Sequence, residues 1–261
     1  MQTKLYGKER LLSDLKSIGN RLPRRVDIYL IGGCAMALKN LKRATKDVDA
    51  IFKHIHELRL FERELAKLGY SKEVKVREAY QKLGAFSIMR NPKKAGFDLF
   101  HMKVCDMLAL SDSMIQRARK YGDFGNLGVF LLSNEDIVTF KAMTERPRDI
   151  DDIAAIVKGS MQKGAEFDWN RIKEECVSQA EHLKIEGHLY NRFLELFEKY
   201  QIRTPLLPWL RKRDIEHLLA EVYEIRREEG FTHGQILEQF RKDGFSKREI
   251  AKLESLGKSR K

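Results

Sequence analysis

Leu30-Ile31-Gly32-Gly33-Cys34-Ala35, followed by Thr45-Lys46-Asp47-Val48-Asp49-Ala50-Ile51-Phe52, is the stretch that decides the fold. Val26 to Ile31 is apolar enough to read as a strand, and it runs straight into a glycine pair. Cys34 to Leu41 reads as a helix that begins directly after the glycines. Val48 to Phe52 reads as the next strand, carrying two aspartates one residue apart at its start. Residues i and i+2 of a strand point to the same face, so Asp47 and Asp49 aim at one place. Glycines at a strand-to-helix junction let backbone N–H groups approach a phosphate closely, and the helix behind them adds the positive end of its dipole. A triphosphate cradle beside carboxylates that hold Mg²⁺, with Mn²⁺ as a substitute, is the chemistry this pattern suits. Transfer of a nucleotidyl group is the reaction it suggests.

Such a reaction needs positioning and positive charge on a crowded phosphorus more than it needs covalent help. Two divalent ions about 4 Å apart supply that charge when carboxylates bridge them. A third carboxylate on a neighbouring strand would complete the set. Asp98, in Gly96-Phe97-Asp98-Leu99-Phe100, is a charge embedded in an apolar strand, which is costly unless it is paired or bound to metal. Two aspartates alone would read as an ordinary polar strand start. The glycine pair before them and the lone strand aspartate after them raise the pattern above that.

Lys141 lies in Phe140-Lys141-Ala142-Met143 with apolar neighbours on both sides, so its ammonium should snorkel to a specific target, and a triphosphate is a sensible one. In Arg146-Pro147-Arg148-Asp149-Ile150-Asp151-Asp152-Ile153, Asp152 sits one turn after Asp149 on a similar face. It is expected to pair with Lys141 or an arginine at the nucleotide site. Asp149 and Asp151 read equally well as acids matched to a helix dipole. His54 and His56 fit solvated or capping roles better than metal binding, and His101 reads as structural.

The chain has 261 residues, room for one large domain or two modest ones. Residues 5–20 look like an amphipathic helix ended by Pro23. Ile55 to Leu68 is helical with Gly69 as its stop. Ala85 to Met89 and Phe97 to Met102 read as two strands joined around Asn91-Pro92, Val104 to Ala118 as a helix, and Val129 to Leu132 as a short strand. Ser133-Asn134-Glu135-Asp136 has the form of a capping box. A helix is expected from Asp149 to Lys158. Helical segments follow near 168–186, 188–200, 214–229 and 233–242, and Ser246-Lys247-Arg248-Glu249 opens a last one. This order predicts an α+β protein with a mixed-sheet domain over 1–160 followed by an all-helical domain over 161–261.

Residues 1–160 hold 30 Lys/Arg against 20 Asp/Glu, a surplus of 10, and residues 161–261 hold 20 against 18, a surplus of 2. The positive field therefore belongs to the half that carries the phosphate-type motif, which favours a polyanionic partner such as RNA in addition to an NTP. Cys34, Cys105 and Cys176 are odd in number and form no CxxC pair, so they read as reduced thiols. Met1 to Arg10 lacks a signal-peptide core, and no apolar run approaches the roughly 20 residues that span a bilayer. The expectation is a soluble, cytoplasmic protein with no membrane partner.

Taken together, Gly32-Gly33, Asp47-Val48-Asp49 and Asp98 resemble the DNA polymerase beta-type nucleotidyltransferase superfamily. The run from Gly32 to Asp49 is similar to the smaller prokaryotic branch, which includes the toxins of abortive-infection systems. Lys141 and Arg148-Asp149-Ile150-Asp151-Asp152 resemble that branch's later motifs, although Lys141-Ala142-Met143-Thr144 has its alanine out of place. The match spans roughly residues 25–157. It implies Asp47 and Asp49 as Mg²⁺ ligands, Asp98 as the residue that binds metal and activates the acceptor hydroxyl, and Gly32, Gly33 and Lys141 as nucleotide contacts. Many members carry a serine at the glycine pair where this chain has Cys34, and a thiol is a poor phosphate donor.

The leading expectation is a Mg²⁺-dependent enzyme that moves NMP from an NTP to a hydroxyl acceptor, with RNA, including tRNA, favoured by the basic half and a protein side chain or small molecule left open. The alternative is a catalytically inactive module of the same fold that binds nucleic acid, with Gln235 to Lys242 and Lys247 to Leu256 as a helix-turn-helix-like pair. A third expectation is one half of a toxin–antitoxin pair, with a small antitoxin-like protein as partner.

Overall fold

The computed structural model describes residues 5–74, 83–144, 146–162, 166–179 and 184–258, with the backbone alone for 248 and 254–258. It shows the expected α+β class: a seven-stranded mixed sheet followed by helices.

The sheet is built outward from the decisive stretch. Strand β2 (Val26–Ile31) pairs antiparallel with β4 (Asp47–Phe52), and β4 pairs parallel with β7 (Gly96–His101). On one side β6 (Ser87–Arg90) and β5 (Ser71–Lys72) extend the sheet antiparallel. On the other, β11 (Leu127–Leu131) lies parallel to β2 and pairs with an edge strand, β10 (Arg119–Phe124). Two short strands, β1 (Tyr6–Gly7) and β3 (Ala44–Thr45), pair with each other just ahead of β4.

Alternation along β4 sorts its side chains. Val48, Ala50 and Phe52 are fully buried, and Phe52 packs against Phe61 of helix α3 (Ile55–Lys67) with ring centroids 5.3 Å apart. Phe97 of β7 meets the same Phe61 at 5.6 Å. Asp47, Asp49 and Asp98 therefore emerge from the opposite face. Helix α3 forms because Leu58, Phe61 and Leu65 recur at helical spacing and bury one stripe, and Gly69, at φ +82°, ends it as expected. Helix α1 (Lys8–Gly19) buries Leu11, Leu15 and Ile18 in the same way, and α2 (Gly32–Leu38) follows β2 without an intervening loop.

The expected helix from Val104 to Ala118 is a correction. Strands β8 (Lys103–Val104) and β9 (Leu108–Ala109) form a small antiparallel pair there, and only α4 (Asp112–Arg117) is helical. Positive φ at Met102, Cys105 and Asp106 breaks any helix before it can propagate. Ser133 caps α5 (Asn134–Ala142) by accepting from the Asp136 N–H, and α6 (Pro147–Gln162), α7 (Trp169–Gln179) and α8 (Glu186–Tyr200) follow. The segment expected to be helical near 168–186 crosses 180–183, which lie outside the described residues.

The chain divides into two compact units, Met1–Thr204 and Pro205–Lys261. The expected boundary at 160/161 thus falls inside the first unit. There α7 is tied back to the sheet-bearing part: Glu175 accepts from Ser111, Ser113 and Arg117, and Gln179 bonds both the N–H and the carbonyl of Ala109. The second unit comprises α9 (Leu207–Glu228), α10 (His233–Lys242) and α11 (Lys247–Lys258) around Leu219, Tyr223, Ile236, Leu237, Phe240, Ile250 and Leu253. Ser246 and Glu249 form the expected reciprocal cap of α11. Among the described residues, no helix is long and apolar enough to cross a membrane.

Candidate active site

Register brings the three aspartates together. Asp49 stands directly opposite Asp98 across the parallel β4–β7 pair, and Asp47 stands opposite Gly96. On the far side of β4, Ile31 faces Asp49, so the chain turns into Gly32 right at the carboxylate. Gly32 has φ +62°, and a Cβ there would lie 2.2 Å from Asp49 Oδ2. The glycine serves two ends at once: a left-handed backbone and room for the acid. A Cβ on Gly33 would meet Thr45 Oγ1 at 2.6 Å, and that hydroxyl donates to the Asp47 carbonyl at 3.1 Å.

The α2 first turn has no side-chain cap. Cys34 takes no part in the cleft: its Sγ is buried and donates to the Ile31 carbonyl at 3.0 Å. Burial, and the nearby Asp49 charge, push its thiol well above the usual range. A thiol that faces inward leaves any phosphate contact at this junction to the backbone.

Electrostatics within the aspartate row are unfavourable. Burial first, and the Asp98 charge second, push Asp49 up to about 7. Burial pushes Asp98 up to about 6, although the Arg90 guanidinium beside it pulls the other way. Asp98 is 1% exposed. Its Oδ1 has no hydrogen-bond donor among the described residues; Arg90 Nη1 stands 2.8 Å away as an ion pair out of hydrogen-bonding line.

A second group of charges lines the same cleft and is held in the opposite way. Lys141 is 4% exposed, and its Nζ lies 2.8 Å from Asp149 Oδ1 and 2.7 Å from Asp152 Oδ2. Asp149 also accepts from Thr144 and, at 2.8 Å, from Arg146 Nε. Lys42 reaches Asp152 Oδ1 at 2.7 Å. Burial works against the Asp149 charge, yet Lys141 and Arg146 more than offset it and draw its carboxyl down to about 2.

Gly33, Asp47, Asp49, Asp98, Lys141 and Asp152 all line this one cleft, and Gly32 stands behind Asp49. The expected pairing of Asp152 with Lys141 is present. Asp151 lies outside it, bonded to Lys199 and Tyr200 on the surface. His54 and His56 stack on each other at 5.3 Å, and neither they nor His101 line the cleft. Sequence reasoning missed Lys42, Arg146 and Arg90. The basic run Leu41-Lys42-Arg43 just after α2 was a usable signal for the first, since it lies within reach of the glycine pair.

Among the described residues, no group of three or more His, Cys, Asp or Glu side chains is arranged to hold a metal ion. The donor chemistry nonetheless suits a hard divalent cation. All three acids offer carboxylate oxygens, two of them resist ionisation where they stand, and one buried oxygen has no hydrogen-bond donor among the described residues. The positive charge that now stands beside Asp47 and Asp98 is the guanidinium of Arg90.

A family model described as "Nucleotidyltransferase of unknown function (DUF6036)" matches residues 9–204. No curated protein matches the chain.

Proposed function

From the premise that the chain belongs to this nucleotidyltransferase family, we propose that it transfers NMP from an NTP to a hydroxyl acceptor in a Mg²⁺-dependent reaction. One observation carries the reading: Asp49 and Asp98 face each other on adjacent strands, two residues from Asp47, against a glycine whose missing side chain leaves room for the acid.

Asp47, Asp49 and Asp98 are the residues that would hold the metal, with Mn²⁺ as a substitute. When bound, the cation supplies charge neutralisation on the transferring phosphate. Asp98, facing Asp49 across the strand pair, would also be placed to take the proton of an acceptor hydroxyl. The Gly32-Gly33 backbone and the uncapped first turn of α2 offer N–H groups to the phosphates. Lys141 and Asp152 support the nucleotide subsite by holding one another and Lys42 in place beside it.

The acceptor that the charge distribution favours is RNA, including tRNA. Lys42, Lys46, Arg146 and Arg148 stand around the cleft, where a polyanion would approach. The likeness to abortive-infection toxins extends the proposal to a toxin held in check by an antitoxin-like protein in the cytoplasm.

The test is incubation of purified protein with α-labelled NTPs, Mg²⁺ and total RNA. Labelled RNA from the wild type, and none from Asp47→Ala or Asp49→Ala, is the expected result. Equal labelling by wild type and variants would remove the enzyme reading. A second reading, an inactive nucleic-acid-binding module, draws on the contact of Arg90 with two of the three acids. It predicts RNA binding that responds to salt and ignores both Mg²⁺ and Asp47.

A further inference from the structure

We propose that Arg90 is a built-in counter-cation that occupies the charge position of the divalent ion and must swing away before that ion binds. This rests on the reading of Asp47, Asp49 and Asp98 as metal-holding residues.

The argument begins with register. Strand β6 runs antiparallel to β7 with Ile88 opposite Asp98 and Met89 opposite Phe97. Arg90, the last residue of β6, shares a face with Ile88 and therefore with Asp98. The next position of β7 on that face is Gly96, and beyond it on β4 lies Asp47. The row across three strands thus reads Arg90, Gly96, Asp47.

Gly96 has no side chain to block the row. A Cβ there would lie 2.5 Å from Arg90 Nη1 and 2.6 Å from Asp47 Oδ1. The guanidinium uses this gap to stand 2.8 Å from Asp98 Oδ1 and 3.4 Å from Asp47 Oδ1. Two carboxylates of the row are thereby served by one organic cation. A pocket of three acids with no resident positive charge would repel itself, and Arg90 relieves that repulsion while the divalent ion is absent.

Arg90 also has somewhere to go. Its Nε lies 3.2 Å from Glu73 Oε2, and Glu73 is anchored beside β6 by its N–H, which donates to the Ile88 carbonyl at 2.8 Å. Glu73 is not part of the acid row. The arginine therefore has two anionic anchors, one inside the cleft and one outside, and a divalent ion needs only to win the inner one. The consequence is a metal affinity set by competition: the site stays weak until the cation arrives at a concentration, or in company with a nucleotide, sufficient to expel the guanidinium.

The experiment is Mn²⁺ binding to the full chain, followed by electron paramagnetic resonance of the free ion, with no nucleotide and no turnover. Arg90→Gln is expected to bind Mn²⁺ about tenfold more tightly than wild type. Glu73→Gln, a change at an exposed position that keeps the fold intact, is expected to bind it about threefold more weakly, because the arginine loses its outer anchor. Asp49→Ala should abolish binding in both backgrounds. Unchanged, Asp49-dependent affinity in Arg90→Gln and Glu73→Gln would overturn the proposal while leaving the metal site standing. If Arg90→Gln does not fold, Glu73→Gln decides alone. Absence of Asp49-dependent binding in every protein would overturn the metal reading and this proposal with it.

Discussion

Two sets of aspartates line one cleft, and the fold treats them in opposite ways. Asp49 and Asp98 are raised to about 7 and about 6, packed against each other with less positive charge than they need. Asp149 is drawn down to about 2 by Lys141 and Arg146, against the opposing effect of burial. Both sets are costly to bury. In the second, Lys141 and Arg146 more than offset burial; in the first, Arg90 offsets it only in part. Burial and charge count alone would not separate them; the direction of each pKa shift does.

That contrast can be broken most severely at Lys141. Replacement by Met leaves Asp149 buried without its main partner, so unfolding free energy should fall by about 3–5 kcal/mol, measured by chemical denaturation. A loss below about 1 kcal/mol would mean that this network is not the structural half of the pair.

Asp49→Asn should act the other way round. Nucleotidyl transfer should drop at least ~100-fold, about 2.7 kcal/mol, with the variant still folded. In metal-free buffer the same variant should be more stable than wild type near pH 8, by about 1–2 kcal/mol. The sign follows from the raised pKa. Between the ordinary carboxylate value and about 7, the folded protein holds a proton that the unfolded chain has already shed, so stability declines as pH rises through that window. Thermal unfolding in EDTA from pH 4 to 8 should show this decline in wild type and a flatter profile in Asp49→Asn. Asp149 gives the mirror image: its contribution is present above the ordinary value and disappears as pH falls toward about 2.

Asp151→Ala marks the small end of the scale. Asp151 is exposed and, among the described residues, bonds to Lys199 and Tyr200, so the change should leave the denaturation midpoint and activity close to wild type. An effect as large as that at Asp49 would show that the helix start belongs to the site in a way the contrast does not allow.

Much of the aspartate row was legible in the sequence because it depends on short spacing. Gly32-Gly33, the Asp47/Asp49 alternation and a charge inside the apolar strand around Asp98 are all local signals. Arg90 was not legible, since its role exists only through the register of β6 against β7 and the missing side chain of Gly96. Asp149 looked like a helix-dipole acid because its partner Lys141 sits on the preceding helix. The edge strand Arg119–Phe124 went unseen for a different reason: its outer position lets it carry Arg119, Lys120 and Asp123, so it shows no apolar alternation. The extent of the first unit was hidden as well, because Glu175 and Gln179 bind groups more than 50 residues earlier in the chain.

The most direct measurement is a crystal soaked with Mn²⁺ and a non-hydrolysable NTP analogue, read by anomalous scattering. The account predicts Mn²⁺ among the carboxylates of Asp47, Asp49 and Asp98, the triphosphate against the Gly32-Gly33 backbone, and Arg90 turned toward Glu73. Mn²⁺ bound elsewhere, or an analogue seated away from the glycine pair with Arg90 still on Asp98, would contradict it.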